Sequence, residues 1–319
     1  MRICIYGAGA MGTSLGVLLD EMSLDFISHD AEHVTAMNAS GALIEGALTR
    51  CVKVRAKLPS GMEGQYDIII LAVKQRENES AAKFLLPFLK EDGALVTVQN
   101  GLPEYGLAQT FGKDRVYGCT LSWSAEKVSP GVVRVTSDTG FRLALGAYGT
   151  GKKLDLLAAF LGRAGMLAVG DLGEIRYAKL AVNASFSTLS ALSGLTFLQL
   201  AKKEKKLVLA LMREVFAVAR ANGCSRLPQN GHDLMKVFGG KFASFLLPVA
   251  MKNYAQTRSG MLRDIRAGRR CDVDFGAGAA VAAGKTAGVE TPLLERAVAL
   301  VHDVENGLAE IAPDTLRLF

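Results

Sequence analysis

The feature that most constrains this chain is a glycine-rich turn near its N-terminus. The turn follows a β-rich run, Ile3 to Tyr6, and opens a segment with helical apolar spacing, Met11 to Glu21. In that setting the first glycine permits a tight turn, the second lets the backbone approach a pyrophosphate, and the third packs the helix on the strand. Free N–H groups at the helix start favour phosphate. The predicted dinucleotide site therefore comprises Gly7, Ala8, Gly9, Ala10, Met11 and Gly12.

The residues after the second predicted strand, Asp25 to Ser28, bear on coenzyme choice. Asp30 lies 18 positions after Gly12, near the place where an acidic residue binds the ribose 2′-OH, and this favours NAD(H) over NADP(H). His29 and His33 flank Asp30 and, if protonated, could partner a 2′-phosphate. Two histidines without a third ligand are more typical of a solvated helix start than of a metal site, and we predict no metal.

The alternation of elements predicts the fold class. The first half alternates β-rich runs with helical patterns, as βαβ units do. Strand patterns continue at Ile68–Val73, Ala94–Val98, Val116–Cys119, Val132–Val135 and Phe141–Leu145, and helical patterns at Ala31–Asn38 and Lys152–Arg163. After about Asp171 the strand signals stop. We predict an α/β protein with an N-terminal Rossmann-type doubly wound sheet over residues 1–170, the dinucleotide-binding domain. An all-helical domain over 171–319, carrying substrate and catalytic residues, follows.

Composition narrows the setting. The chain has 319 residues, half of them hydrophobic, and five cysteines. The cysteines are scattered and never form C-x-x-C, which argues against a disulfide framework and fits a cytoplasmic protein. The apolar run up to Leu19 superficially resembles a signal peptide but contains glycines at fingerprint spacing, so we interpret it as a mature first strand. No apolar run reaches the length of a membrane span, and we expect no membrane partner.

The net charge of +6 raises the question of nucleic acid. The basic residues are spread out except for two clusters, Lys202–Lys206 and Arg263–Arg270. The first predicts a solvated helix face. An anionic ligand explains the second at least as well as DNA does, because it lies beside the candidate catalytic residues. We therefore expect no nucleic-acid partner.

A row of polar residues marks the start of the helical half. Lys179, Asn183 and Ser187 recur every four positions and share one face of a predicted helix. Hydride addition to a ketone makes an alkoxide, so the site needs a positioned proton donor, for which Lys179 is the candidate. An exposed helix face would show the same spacing. Gly284-Lys285-Thr286 resembles the end of a phosphate-binding loop, but such a loop requires a glycine five positions before Gly284, where this chain has Ala279. We therefore predict that this segment is part of a helix.

Five motifs in register resemble the ketopantoate reductases (2-dehydropantoate 2-reductases). They are Gly7 to Gly12, Ala72-Val73-Lys74, Val98-Gln99-Asn100-Gly101, Lys179-x-x-x-Asn183, and Met261 to Arg269 followed by Cys271-Asp272-Val273-Asp274. The resemblance covers the whole chain. It implies an oxidoreductase that uses NADP(H) to reduce ketopantoate to pantoate, a precursor in pantothenate and coenzyme A synthesis.

The resemblance also implies roles for single residues. Lys179 would be the general acid, Asn183 would hydrogen-bond the substrate, and Asp272 would take the place of a family glutamate. Lys74 and Asn100 would face the nicotinamide and the substrate from the carboxyl ends of sheet strands. A lysine pKa lowered by burial would suit the proton transfer.

Three positions depart from the family pattern. Ser187 stands where asparagine is usual, Gly260 replaces a substrate-contacting serine, and Asp272 is one methylene shorter than the family glutamate. Asp30 also stands where the family generally has an arginine. These departures leave open both the identity of the small anionic 2-oxo acid and the coenzyme.

Two other functions remain open alongside ketopantoate reduction. A paralogue with the same mechanism would reduce a different 2-oxo acid, and a sensor would bind the dinucleotide without catalysis. The apolar run Leu207 to Ala219 could support a homodimer. Closure of the two domains around Val169 to Gly173 is a further hypothesis.

Overall fold

The computed structural model describes residues 1–20, 23–136 and 140–319. The chain forms two compact units. The first comprises Met1–Gln99 and Pro103–Leu172, and the second comprises Asn100–Leu102 and Gly173–Phe319. The change of unit after Leu172 coincides with the place where the strand patterns end in the sequence.

The first unit is built on an eight-stranded sheet in the order β12-β11-β8-β7-β6-β1-β2-β5. All its neighbouring strands are parallel except β8 and β11. Its strands are β1 (Ile3–Tyr6), β2 (Leu24–Ile27), β3 (Ala42–Gly46), β4 (Arg50–Val52), β5 (Arg55–Lys57), β6 (Tyr66–Leu71), β7 (Leu89–Thr97), β8 (Val116–Leu121), β9 (Ala125–Ser129), β10 (Val132–Val135), β11 (Arg142–Ala147) and β12 (Met166–Val169). Its helices are α1 (Ala10–Leu19), α2 (Ala31–Ser40), α3 (Asn78–Leu85), α4 (Glu104–Phe111) and α5 (Leu154–Leu161). The predicted α/β class with a mainly parallel Rossmann-type sheet is confirmed.

Continuous apolar strands explain why helices cover both faces of this sheet. Along β1, Ile3 and Ile5 belong to one hydrophobic core, while Cys4 and Tyr6 belong to another. The same alternation holds from Ile68 to Leu71 in β6. Helices α1, α2 and α5 complete the first core, and α3 and α4 complete the second. A strand buried on both faces needs apolar side chains at every position, and β1 and β6 have nearly that sequence.

The sequence patterns missed a second sheet of four strands, in the order β4-β3-β10-β9. The predicted strand Val132–Val135 belongs to this sheet, paired with β3 and β9. Its other strands are short, three to five residues each, and partly exposed, so they lack the long apolar runs that reveal buried strands. The first helix ends at Leu19, earlier than predicted, because Asp20 takes a left-handed conformation at its end. The predicted end at Glu21 lies outside the described residues.

The second unit is helical, with one exception. Its helices are α6 (Leu172–Val182, beginning at the last residue of the first unit), α7 (Thr188–Ser193), α8 (Phe197–Lys203), α9 (Lys205–Ala221), α10 (Leu234–Gly239), α11 (Ala243–Ala250), α12 (Gly260–Arg266), α13 (Ala277–Ala287) and α14 (Pro292–Glu305). A two-stranded ribbon, β13 (Pro228–Gln229) with β14 (His232–Asp233), interrupts them. The prediction of an exclusively helical half therefore missed two strands, which at two residues each are too short to show alternation.

Several local predictions for the second unit can be compared with the structure. Gly284-Lys285-Thr286 lies within α13, as predicted. The lysines of the cluster Lys202–Lys206 are exposed, also as predicted. The apolar run Leu207 to Ala219 lies in α9, where most of its large apolar side chains are buried in the core of the unit. That run is therefore not an exposed face for a second subunit, and the homodimer stays a prediction without this argument.

Helix length and apolarity bear on whether a helix could cross a membrane. Among the described residues no single helix is long and apolar enough to cross a membrane. One pair, Leu172–Ser193 with Phe197–Lys203, meets the requirement only when taken together, and it is bent by 93°.

A buried carboxylate organises the C-terminal part of the second unit. Glu305, at the end of α14, accepts a 2.6 Å hydrogen bond from the backbone N–H of Cys271. His302 contacts Glu305 at 3.1 Å and Asp274 at 2.9 Å, and Arg270 lies 3.7 Å from Glu305. Partial burial works to lower the pKa of His302, but the hydrogen bonds with Glu305 and Asp274 outweigh it and raise that pKa.

We predict that this network stabilises the protein more at pH 6 than at pH 8.5. A histidine whose pKa is raised on folding gives its full stabilisation below its unfolded pKa of about 6.5, and the stabilisation is lost as the pH rises through the folded pKa. Thermal unfolding of the wild type and of His302→Gln checks this. The difference in Tm should be larger at pH 6, whereas the exposed His232→Gln should show no such dependence. Equal His302→Gln differences at both pH values would contradict the prediction.

Candidate active site

The three glycines of the N-terminal turn meet three different surroundings. Gly7 has φ +98°, and a Cβ there would lie 2.6 Å from the backbone nitrogen of Val73. A Cβ on Gly12 would collide with the carbonyl oxygen of Gly7. A Cβ on Gly9 would meet nothing within 4 Å. The first and third glycines are thus required by the fold, while the second leaves open space beside the backbone, as a pyrophosphate requires.

Strand β2 anchors the turn. The backbone N–H groups of Gly7 and Ala8 both donate to the carbonyl oxygen of Ile27, at 3.0 and 2.8 Å. Ala10 and Met11 form the first turn of α1, where backbone N–H groups lack partners within the helix. Strand β1 has β2 as its neighbour on one side and β6 on the other, so the turn at its carboxyl end lies where the strand order reverses. Ligands usually bind at this point in such folds. The residues present fit a dinucleotide.

His33 is not on a solvated helix face, contrary to the sequence prediction. It is fully buried, and its Nδ1 accepts a hydrogen bond from the backbone N–H of Gly131 at 2.9 Å. Its Nε2 lies 3.1 Å from Thr13 Oγ1, which donates its own proton to the carbonyl of Ala8. These bonds need a neutral ring with its proton on Nε2, and burial lowers the pKa of His33. His33 therefore supports the glycine turn and supplies no charge to a 2′-phosphate.

Asp30 has two roles in the structure. Its carboxylate accepts a hydrogen bond from the backbone N–H of His33 at 2.9 Å and so caps the N-terminus of α2. Its other oxygen forms an ion pair with the ammonium group of Lys127, which reaches it from β9 of the second sheet. The hydrogen bonds from Lys127 and His33 hold the pKa of Asp30 below its usual value. Sequence analysis missed Lys127, since 97 positions separate it from Asp30 and no motif marks it.

Lys74 and Asn100 follow two adjacent parallel strands, β6 and β7, and both are exposed. Gln99 holds the segment before Lys74 in place. Its side-chain amide donates to the carbonyl of Val73 at 2.7 Å and to Asn78 Oδ1 at 2.6 Å. Asn100 begins the short segment, Asn100–Leu102, that is grouped with the second unit.

The row Lys179, Asn183 and Ser187 does not lie on a regular α-helix. Lys179 is in the last turn of α6, which ends at Val182. The five residues after that end, Asn183–Ser187, form a π-helical turn, hereafter the π turn. Four residues in a π-helix turn through a smaller angle than in an α-helix, so the direction of Ser187 relative to Asn183 differs from the one that 3.6 residues per turn imply. All three side chains are half-buried among mostly buried neighbours. An exposed helix face is therefore excluded for this row.

Two further candidate site residues lie on segments of the second unit that pack against the π turn directly or through α13. Helices α12 and α13 both pack against the π turn. Gly260 is the first residue of α12. Asp272 is half-buried and precedes the 3₁₀ turn Val273–Phe275, which packs against α13. The second unit thus groups Gly260 and Asp272 around the segment that carries Asn183.

The parallel sheet with its glycine turn and the half-buried lysine row define a Rossmann-fold oxidoreductase. Two family models match the chain, "Ketopantoate reductase PanE/ApbA" over residues 3–149 and "Ketopantoate reductase PanE/ApbA C terminal" over residues 171–305. The chain belongs to the ketopantoate reductase family.

Known relatives cover the chain almost entirely. The 2-dehydropantoate 2-reductase of Mesorhizobium japonicum is 27% identical over 96% of this chain and 99% of its own. The solved structure of a PanE/ApbA family ketopantoate reductase from Ralstonia eutropha is 27% identical, with a TM-score of 0.79, over 97% of this chain and 99% of that one. A structure of D-mandelate dehydrogenase with NADH and anilino(oxo)acetate has a TM-score of 0.82 at 24% identity, with the same coverage.

We predict opposite consequences for two alanine substitutions in the glycine turn. Gly9→Ala should keep the wild-type Tm, because its methyl group meets open space, but should weaken dinucleotide binding about tenfold or more by blocking close approach of the pyrophosphate. Gly12→Ala should lower the Tm, because its methyl group collides with backbone. Fluorescence titration with NADH and NADPH, with thermal unfolding, measures both. Unchanged binding by Gly9→Ala would exclude the turn as the pyrophosphate site.

Proposed function

We propose that this protein reduces ketopantoate to pantoate with a reduced nicotinamide dinucleotide, with Lys179 as the general acid. The carrying observation is the polar row of Lys179, Asn183 and Ser187, half-buried in a segment whose other residues are mostly buried. Placing a lysine there costs desolvation. In a member of this family, a proton donor for the alkoxide gives the lysine a purpose.

The mechanism assigns one task to each residue. When bound, the dinucleotide supplies a hydride to the carbonyl carbon of the 2-oxo acid. The ammonium of Lys179 donates a proton to the carbonyl oxygen, which thereby becomes a neutral hydroxyl group of the product. The lysine is then neutral until it regains a proton from solvent. Asn183 donates a hydrogen bond to the substrate. Asp272 helps to orient it, and Lys74 and Asn100 bind the coenzyme and substrate.

A second candidate is the reduction of another small 2-oxo acid by the same steps. Gly260, Ser187 and Asp272 each remove or shorten a side chain that the family pattern uses for ketopantoate. One structural neighbour is named D-mandelate dehydrogenase. For this reason an aromatic 2-oxo acid, phenylglyoxylate, belongs in a panel of test substrates. A sensor without catalysis is disfavoured because it has no use for Lys179.

We predict that the wild type oxidises NADH or NADPH in the presence of ketopantoate. Replacing Lys179 by Ala should lower kcat about 10²- to 10⁴-fold, as expected for loss of a general acid, without changing dinucleotide affinity. Absorbance of the reduced nicotinamide measures turnover on ketopantoate, branched 2-oxo acids and phenylglyoxylate. The control Lys203→Ala removes an exposed lysine from α8 and should have no effect.

Each result of this panel has a consequence. Turnover of ketopantoate below that of every other acid would replace ketopantoate by another substrate. Unchanged kcat in Lys179→Ala would remove Lys179 as the acid. Dinucleotide binding without turnover of any acid would favour the sensor.

The coenzyme proposal rests on the Asp30–Lys127 ion pair. A carboxylate in this position accepts hydrogen bonds from ribose hydroxyls and repels a 2′-phosphate. Lys127 offsets that repulsion, because an ammonium group beside Asp30 can contact a phosphate at the same point. We infer that the protein uses both NADH and NADPH, with Asp30 favouring the first and Lys127 the second.

We predict that substitutions in this pair shift coenzyme preference in opposite directions. Lys127→Met should raise the ratio of kcat/KM for NADH over NADPH about tenfold, whereas Asp30→Asn should lower it. Arg134 forms a comparable ion pair with Glu45 in the second sheet, so Arg134→Met is a matched control that should leave the ratio unchanged. Shifts of the same sign in both variants would contradict this assignment.

A further inference from the structure

Helix α11 of the second unit is apolar on every side. Its residues, Ala243–Ala250, include no charged side chain. On one side, Ala243 and Leu247 are buried in the core of the unit, where α11 packs against α8, α9 and α10. The other side carries four large apolar side chains, hereafter the α11 stripe: Phe242, which directly precedes the helix, and Phe245, Leu246 and Val249.

The α11 stripe is exposed to solvent in the single chain. Phe242 is 77% exposed, Phe245 74%, Val249 63% and Leu246 36%. Because these positions are three and four residues apart, the four side chains lie on one helix face and form one continuous patch. Single exposed apolar residues need no explanation, whereas a contiguous patch marks an interaction site. A helix that is apolar all round is normally buried all round, so the described part of the chain leaves one side of α11 without its cover.

The area of the α11 stripe matches the centre of a protein–protein interface. Covering a phenylalanine side chain removes about 150–250 Å² from water, so Phe242 and Phe245 at their exposed fractions together offer on the order of 300 Å². With Leu246 and Val249, the stripe reaches on the order of 400 Å², the size of a patch that is often functional. Two such stripes in contact would bury on the order of 800 Å², and a specific interface buries about 1,200–2,000 Å² around an apolar centre. Two stripes would therefore form the centre, and their flanks would supply the rest.

The distribution of charge around the α11 stripe is compatible with a second copy of the same surface. A two-fold interface brings the same patch of two subunits together, so the patch must not repel itself. The stripe is uncharged, and the exposed lysines nearest to it in sequence, Lys241 and Lys252, lie beyond the two ends of α11. Long lysine side chains can keep their ammonium groups in water at the edge of a contact. An uncharged centre with a charged rim is the usual composition of an interface.

We propose that the α11 stripe packs against the α11 stripe of a second copy of this chain, around a two-fold axis close to Phe245. Phe245 lies near the middle of the stripe, so its neighbour across the axis is Phe245 of the partner subunit. By the same symmetry, Phe242 contacts Val249 of the partner subunit. This surface, and not the buried run Leu207 to Ala219, is then the homodimer interface. The inference is independent of the proposed reductase activity.

Sedimentation of the full chain over a range of concentrations tests the proposal. The wild type should sediment with the mass of two chains, each of 33.9 kDa. Phe245→Glu should raise the Kd of the dimer about a hundredfold or more, because it places two carboxylates against each other in an apolar contact. The matched control is Leu308→Glu, which puts the same charge at an apolar residue that is 77% exposed outside the stripe and should leave the Kd unchanged.

A mixing experiment tests the two-fold geometry and the folding of the variants together. Phe245→Lys should be as monomeric as Phe245→Glu, since it also brings like charges together. An equimolar mixture of the two variants should form a heterodimer, because opposite charges then meet across the axis. Recovery of the dimer on mixing would also show that both variants fold. A mixture that stays monomeric would overturn the proposed packing, as would a dimer that Phe245→Glu does not weaken.

Salt distinguishes a second copy from a lipid surface as the cover of the α11 stripe. Added salt shortens the range of repulsion from about 10 Å at 0.1 M to about 3 Å at 1 M, so repulsion between the lysines at the rim should weaken and the Kd of the dimer should fall severalfold. Binding to an anionic membrane would instead weaken with salt. A wild type that stays monomeric, but binds vesicles of phosphatidylcholine and phosphatidylserine in a way that Phe245→Glu abolishes, would identify a lipid surface as the cover and overturn the proposal.

Discussion

The buried imidazole of His33 is the interaction on which the first half of the site depends. It joins the turn between β9 and β10, through Gly131, to α1, through Thr13, and Thr13 in turn bonds the carbonyl of Ala8 in the glycine turn. A neutral ring can accept at one nitrogen and donate at the other, which neither a charged ring nor an aliphatic side chain can do. Because His33 fixes the β9–β10 hairpin beside α2, Lys127 on β9 comes within reach of Asp30. The electrostatics around Asp30, the proposed ribose site, thus follow from a hydrogen bond made elsewhere.

The sequence predicted the parts of the fold that depend on dense apolar patterns. Strands β1 and β6 are buried on both faces, and their unbroken apolar runs allow few other structures. The second sheet was missed because its strands are short and partly exposed, so their stability comes from pairing with strands distant in sequence. Within the site, the glycine turn was predictable because Gly7 and Gly12 answer local steric demands and Gly9 stands at the position where a pyrophosphate approaches the backbone. The Asp30–Lys127 pair was not, since long-range pairs leave no periodic trace.

The π turn shows how the local geometry of a predicted row of residues can differ from the one that its spacing implies. The spacing of Lys179, Asn183 and Ser187 assumes 3.6 residues per turn, and it holds only as far as Val182. The wider π turn costs hydrogen-bond geometry, and such turns are found most often at functional sites. Here it rotates Ser187 relative to Asn183. Ser187 stands where the family pattern usually has asparagine, and the pattern alone does not give the direction of this side chain.

The glycines of this chain separate structural from functional demands. Gly7 and Gly12 are fixed by a positive φ angle and by backbone packing, so any side chain there would damage the fold. Gly9 and Gly260 are under neither constraint, although glycine loses more conformational entropy on folding than any other residue. At Gly9 the missing side chain leaves space next to the backbone N–H groups at the start of α1, which are suited to bind an anion. Open space beside a glycine is not by itself the sign of a binding site, because Gly106 and Gly239 are equally unconstrained. At Gly9 a second observation supports the proposed coenzyme site, namely its place between β1 and the start of α1.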